Sequence, residues 1–253
     1  MLLDRVRRLA PMRAKAAVFK TLTSGPMDAA VRALFRNSIP HYGNRIRMPA
    51  DFHVNAAAIA LRLYERAEVA MVRNFLPPDI DVVELGSSIG VVSCEIARKL
   101  RHGARLITVE ANPRLAKHAS LCLEENGLHG VEVVNAAIDY GQLQNVPFSS
   151  PSHLMGRTGH GEMTVPSITL SDIARRFSLE KFSLVVDIEG AEIPLLLHDR
   201  SALSACQMIQ LEMHSADYAG KHYSVEDVQA LTQSLGFECF YRYRDCAAFR
   251  RVS

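Results

Sequence analysis

From Asp81 onward the chain alternates short apolar runs with segments of helical period, and this rhythm constrains the fold more than any other feature. Asp81–Leu85 reads as a short strand and Ser87–Gly90 as a turn. Val91–Leu100 reads as a helix, with Val92, Ile96 and Leu100 on one face. Arg105–Glu110 is a second strand. Pro113–Asn126 is a helix opened by Asn112 and Pro113 and stopped near Gly127. Val131–Ala137 is a third strand. Apolar strands separated by amphipathic helices bury themselves best as an open parallel sheet with helices on both faces.

The remainder fits the same frame. Ser167–Leu170 and Ser171–Phe177 read as strand and helix, Phe182–Asp187 and Cys206–Met213 as buried strands. A crossover starts at Ala191, Ser224–Gly236 is a helix with Ser224 and Asp227 in its first turn, and Phe237–Arg251 is an antiparallel hairpin. Residues 141–164, rich in Gly, Ser, Pro and His, show no period and are expected to be a substrate loop; its His153 and His160 read first as solvated loop side chains, with reach over a crevice as the alternative. Residues 56–75 read as one helix, ended by Pro77-Pro78, and 39–55 as irregular or a small hairpin. The first 38 residues read as short helices broken at Pro11 and at Ser24-Gly25-Pro26, which divides the chain into a basic extension, 1–38, and a catalytic domain, 39–253.

Charge follows that division loosely: residues 1–73 carry a net +8 and residues 74–253 a net −6. Leu2, Val6 and Leu9 share one helical face among arginines, a pattern that suits peripheral contact with an anionic membrane. The body shows no basic stripe with interleaved aromatics, so no nucleic-acid partner is expected. No window of eighteen apolar residues is present, and five scattered cysteines without a CxxC support neither a disulfide framework nor a zinc site. A cytoplasmic protein is expected, and no oligomeric state is assigned.

The junction Glu84-Leu-Gly-Ser-Ser-Ile-Gly90 ends one strand and opens a helix. Gly86 permits a sharp turn and close approach of a ligand, Gly90 a close packing of the helix start on the strand, and Glu84 points a carboxylate into the crevice. Glu110 ends the next strand, where a carboxylate can accept from both hydroxyls of a ribose; Asn112 follows, and Ala137 is placed to line an adenine. Ser88 stands where a dinucleotide fold wants its second glycine, and Glu84 would repel a pyrophosphate. A phosphate-free cationic nucleoside, S-adenosylmethionine, suits this crevice.

Here the chain resembles the FkbM-type family of class I S-adenosylmethionine-dependent methyltransferases. The matching stretches are VVELGSSIGVVS, ITVEANP, VVNAAI, SITLSDI, FSLVVDIEGAEIPLL and IQLEMH, in the family's order. Glu84 and Ser88 depart from the family's more usual Asp and Asn. The resemblance implies a Rossmann-like, mostly parallel seven-stranded sheet with an antiparallel C-terminal strand.

Two strand ends carry the remaining ionisable groups: Asp187, Glu189 and Glu192 after one, Glu212 and His214 at the other. Methylation of a hydroxyl needs that oxygen held in line and relieved of its proton. His214 is the natural base by side-chain type, with Asp187 and Glu189 beside it and Asp187 also against the cofactor. The same carboxylates suit a divalent metal, which is the less favoured alternative. The expected acceptor is a glycan or other small molecule; a methyltransferase acting on nitrogen and a non-catalytic adaptor of the same fold are the alternatives.

Overall fold

The computed structural model describes residues 24–49, 54–141, 143–149, 157–158 and 163–252. Leu2, Val6 and Leu9 of the extension, and His153 and His160, lie outside these residues. The chain falls into two compact units, residues 1–64 and 65–253.

In the first unit, α1 (Gly25–Phe35) starts with Pro26 in its first turn, where a missing N–H costs nothing. β1 (Ser38–His41) and β2 (Asn44–Arg47) form an antiparallel hairpin with Ile39 opposite Ile46, both buried. α2 (Ala56–Ala60) is capped by Asn55, whose Oδ1 accepts from the Ala58 N–H at 2.8 Å. Hairpin, α1 and α2 pack on one another. The two compact units meet between Tyr64 and Glu65, the hairpin packing with the helices around it. The single helix expected over 56–75 is two. Arg62 turns left-handed at φ 57°, and the Leu63 N–H donates back to Ala58 O at 2.8 Å, which closes α2.

The second unit runs α3 (Arg66–Phe75), β3 (Asp81–Leu85), α4 (Val91–Lys99), β4 (Leu106–Glu110), α5 (Pro113–Glu125), β5 (Glu132–Asn135), β6 (Ala137–Ile138), β7 (Asn145–Ser149), β8 (Arg157–Thr158) and β9 (Met163–Ile168). It continues through α6 (Leu170–Arg176), β10 (Phe182–Val186), α7 (Glu192–His198), α8 (Arg200–Ala205), β11 (Cys206–Glu212), β12 (Ala216–Tyr218), β13 (Lys221–Tyr223), α9 (Val225–Ser234), β14 (Phe237–Tyr243) and β15 (Cys246–Arg251).

Seven strands form the main sheet in the order β14-β15-β11-β10-β3-β4-β5. β3, β4, β5, β10 and β11 are mutually parallel, and β15 runs antiparallel to both its neighbours. The fold is thus the expected Rossmann-like one. Chain order reverses between β3 and β10, so a crevice opens at the carboxyl ends of those strands. Val83, Leu85, Leu184, Val186, Ile209 and Leu211 of the central strands pack beneath it against Leu170, Ile173, Ile193 and Leu196 of the helices.

Residues 141–164 are not without strands. β6, β9, β7 and β8 make a second sheet, with Val146, Phe148 and Val165 buried. Pro147 lies between the two inward side chains of β7 on its exposed side, so the alternation that defines the strand survives a residue that usually marks a loop.

Candidate active site

The turn after β3 is built around contacts within the protein. Gly86 has φ +91°, and a Cβ there would stand 1.8 Å from the carbonyl oxygen of Asp187. Only glycine lets the ends of β3 and β10 lie this close. Gly90, at φ +86°, opens α4, and its nearest neighbour is Ala119 of α5 rather than the strand. Ser88 takes a left-handed φ of 48° and donates its N–H to Glu110 Oε2 at 2.9 Å. The other oxygen of Glu110 accepts from the Asn112 N–H at 2.8 Å. Glu110 therefore ties the turns after β3 and β4 together. Asn112 Oδ1 caps α5 by accepting from the Arg114 N–H at 3.0 Å.

A cleft of about 670 Å³ opens at the strand ends. Of the expected residues, Gly86, Glu110, Asn112, Ala137, Asp187 and Glu189 line it. Ser88, Gly90, Glu84 and His214 do not. Glu84 faces the side of the sheet that α3 covers: it is 1% exposed, and the Ser93 hydroxyl donates to its Oε2 at 2.6 Å. Burial pushes its pKa up to about 7 against the hydroxyl's pull downward. It lines a second, small cavity of about 20 Å³ with Glu68, Gln210 and Glu212. Gly86 and Asp187 line both spaces.

The register explains this acidic layer. Glu84, Val185 and Gln210 lie side by side on β3, β10 and β11. Side chains alternate faces along a strand, so Gly86, Asp187 and Glu212, two residues on, follow them on the same side.

His214 stands among carboxylates. Its Nδ1 is 3.1 Å from Glu192 Oε1, and its Nε2 is 3.6 Å from Glu189 Oε2 and 3.9 Å from Asp187 Oδ1. Glu192 has no exposure and also accepts the N–H groups of Ile188 and Gly190, at 3.0 and 2.8 Å. Burial by itself would lower the His214 pKa, but the hydrogen bond and charge of Glu192, with Asp187 and Glu189, raise it to about 9. Burial raises Asp187 to about 7, opposed by His214 and reinforced by Glu189, Glu192 and Glu68. Glu212 rises to about 8 through burial, Asp187 and its hydrogen bond with Glu68.

The side of the cleft away from β3 and β4 holds residues that no sequence motif singled out. Phe148 reaches it from β7, and Tyr140 from the segment after β6. Asp217, Tyr218 and His222 come from the β12–β13 hairpin, where Asp217 Oδ1 and His222 Nδ1 pair at 2.7 Å across the strands. Only the apolar alternation at Val146 and Phe148 could have pointed to any of these. Among the described lining residues, Glu110, Asp139, Asp187, Glu189 and Asp217 are acidic and none is Lys or Arg.

The profile of the methyltransferase FkbM domain matches residues 84–243. A search of curated proteins finds no significant match. Among solved structures, the N-terminal domain of EvdMO1 with SAH bound is 13% identical, with a TM-score of 0.49, over 90% of this chain and 96% of that one. A SAM dependent methyltransferase from Aquifex aeolicus is 11% identical, with a TM-score of 0.42, over 75% and 93%. Mitomycin 7-O-methyltransferase MmcR is 14% identical, with a TM-score of 0.41, over 78% and 56%. The domain match carries the functional reading; the structural likenesses carry none of it.

Proposed function

We propose that this chain, which belongs to the FkbM methyltransferase family, moves a methyl group from S-adenosylmethionine to a hydroxyl of an uncharged small molecule, of the glycan or hydroxylated natural-product class. The observation that carries the cofactor and acceptor is the charge of the cleft. Five acidic side chains and no described Lys or Arg line it, at the carboxyl ends of a parallel sheet. That field attracts a cationic donor and repels phosphate.

The residues present fit the cofactor. Each oxygen of Glu110 already takes one backbone N–H and keeps a lone pair for a ribose hydroxyl. Ala136, Ala137 and Ile138 offer an apolar wall for a base. Asp187 Oδ1 is buried without a hydrogen-bond partner among the described residues, at the join of the two cavities. When bound, S-adenosylmethionine supplies an electrophilic methyl on a positive sulfur.

The chain's own part is to orient the acceptor and receive its proton. Asp187 and Glu189 line the cleft, and the Nε2 of His214 faces both, at 3.9 and 3.6 Å. These two carboxylates are the groups placed to receive the acceptor's proton. Phe148, Tyr140 and Tyr218 provide the faces on which a sugar ring or polyketide could stack.

The test is methyl transfer from isotopically labelled donor to matched neutral, phosphorylated and nucleotide-linked sugars, read by mass. Neutral acceptors should be methylated on oxygen. Transfer confined to the anionic set, or to nitrogen, overturns the acceptor reading; absence of donor binding by calorimetry overturns the whole.

A further inference from the structure

We propose that Asp187, Glu212 and His214 hold a divalent cation of the hard, oxygen-preferring class, Mg²⁺ or Mn²⁺, beside Asp187, which lines both the cleft and the smaller cavity. One ligand atom from each lies within 4.8 Å of the other two. They come from the ends of two neighbouring parallel strands, β10 and β11, so the sheet itself sets their spacing.

His214 has the build of a ligating histidine. A metal-bound imidazole nearly always donates its other N–H to a carboxylate, which fixes the tautomer and the ring's direction. Glu192 is that carboxylate, 3.1 Å from Nδ1, and is itself held by two backbone N–H groups. The arrangement leaves Nε2 facing Asp187 and Glu189.

Gln210 points independently to a ligand. It is 1% exposed, and its Nε2 donates to Met71 O at 3.2 Å. Only the amide's donor end can face a carbonyl, so its orientation is determined and Oε1 is left at the opposite side. That oxygen has no hydrogen-bond partner among the described residues. Gln210 lines the 20 Å³ cavity that Asp187 and Glu212 also line, a volume that admits about one water. Glu68 and Glu84 complete the polar wall, and no described lining residue is Lys or Arg. A water bound to the cation would donate to Gln210 Oε1. Cys246 lies near Glu68 and Glu212, but its thiol donates to Glu68 Oε1 at 3.2 Å, which leaves the ligand set to oxygen and imidazole.

What the ion does rests on the methyltransferase reading. It draws the acceptor oxygen and makes its proton more acidic. That proton passes to Glu189, a cleft carboxylate outside the ligand set that faces Nε2 of His214. The oxygen's electron pair forms the new bond to the methyl carbon as the carbon–sulfur bond breaks, and sulfur keeps that pair. Charge and atoms balance, with the cation unchanged.

The experiment titrates the full chain with Mn²⁺ alone, followed by its paramagnetic resonance signal, alongside calorimetry with S-adenosylmethionine. One Mn²⁺ site is expected. Asp187→Asn, Glu212→Gln and His214→Gln should each weaken it at least about tenfold, and Glu192→Gln about 10- to 100-fold through the ring it orients. Glu110→Ala should leave Mn²⁺ affinity unchanged. Thermal unfolding of each variant shows which of them are folded. No Mn²⁺ site in the wild-type chain at millimolar concentration, or a site indifferent to the three ligand substitutions in folded variants, overturns the proposal. Because Mn²⁺ is read without donor or acceptor, donor binding without Mn²⁺ sinks the metal site alone, and Mn²⁺ binding without donor sinks the methyltransferase reading alone.

Discussion

Nδ1 of His214 lies 3.1 Å from Oε1 of Glu192, a carboxylate with no solvent exposure that also accepts two backbone N–H groups of the turn after β10. One side chain thus holds both the loop Ile188–Gly190 and the imidazole. Glu192→Ala should leave three donors without their acceptor, at a cost of about 3–5 kcal/mol, the range for breaking a buried ionic pair. Denaturant unfolding measures it. A loss below about 1 kcal/mol would mean that the turn does not depend on this carboxylate.

Glu110 links cofactor affinity to pH. Burial raises its pKa to about 7, opposed by the N–H groups of Asn112 and Ser88 and increased by Asp187. The ionised form is the better acceptor for ribose hydroxyls and the better partner for a cation. Affinity for S-adenosylmethionine should therefore rise as pH rises through about 7 and level off above it. Glu110→Ala should cost about 1.5–3 kcal/mol of binding at pH 8, the range for hydrogen bonds to a charged group, and should flatten the pH dependence. Calorimetry between pH 6 and pH 9 decides it.

Glu84 links stability to pH with a definite sign. Its carboxyl is raised from 4.5 to about 7 by burial, so the folded chain holds this proton more tightly than the unfolded chain does. Its contribution is fully present below 4.5 and is lost as pH rises through about 7. At about 1.4 kcal/mol per pH unit, the loss amounts to about 3 kcal/mol. Glu84→Gln keeps an acceptor for Ser93 and removes the titration. The variant should be the more stable protein at pH 8 and should gain little at pH 4. Equal stability at pH 8 would show that Glu84 ionises without penalty.

Gly86→Ala tests the approach of β3 and β10. The new Cβ would meet Asp187 O at 1.8 Å, and alanine is strained at φ +91°. A destabilisation of about 1–3 kcal/mol is expected from overpacking alone, with the left-handed strain added. The displaced Asp187 should also weaken donor binding. Unchanged unfolding in denaturant would contradict the close approach.

The basic extension is tested with vesicles. Full-length chain should sediment with anionic vesicles, less so as salt rises, and a chain starting at Ser24 should lose most of that binding. Equal sedimentation of the two removes residues 1–23 from membrane contact. Among the described residues no helix is long and apolar enough to cross a membrane.

The sequence alone determined the elements whose signals are local. Each central strand is a buried, mostly apolar run, and each helix has its own period and its own start. Ser224 and Asp227 stand at the first turn of α9, as expected, and there close a capping box. Parallel strands follow from those elements, since a helix between two strands leaves the chain at the end from which it began. Glu110 and Asp187 were legible as cleft residues because they stand at the carboxyl ends of β4 and β10, where the cleft opens.

Tertiary structure decided the rest, because the deciding partners are far apart in sequence. Period alone ran one helix through 56–75, while the left-handed turn at Arg62 split it. Strands β7, β12 and β13 owe their existence to neighbours across loops, and through them Phe148, Tyr218 and His222 enter the cleft. Glu84 faces α3, and no local pattern says which side of the sheet that helix covers. His214 is legible by residue type, but its surroundings are not. Its type is written at one position, but the field that sets its charge comes from Asp187, Glu189 and Glu192, brought to it from the end of a neighbouring strand.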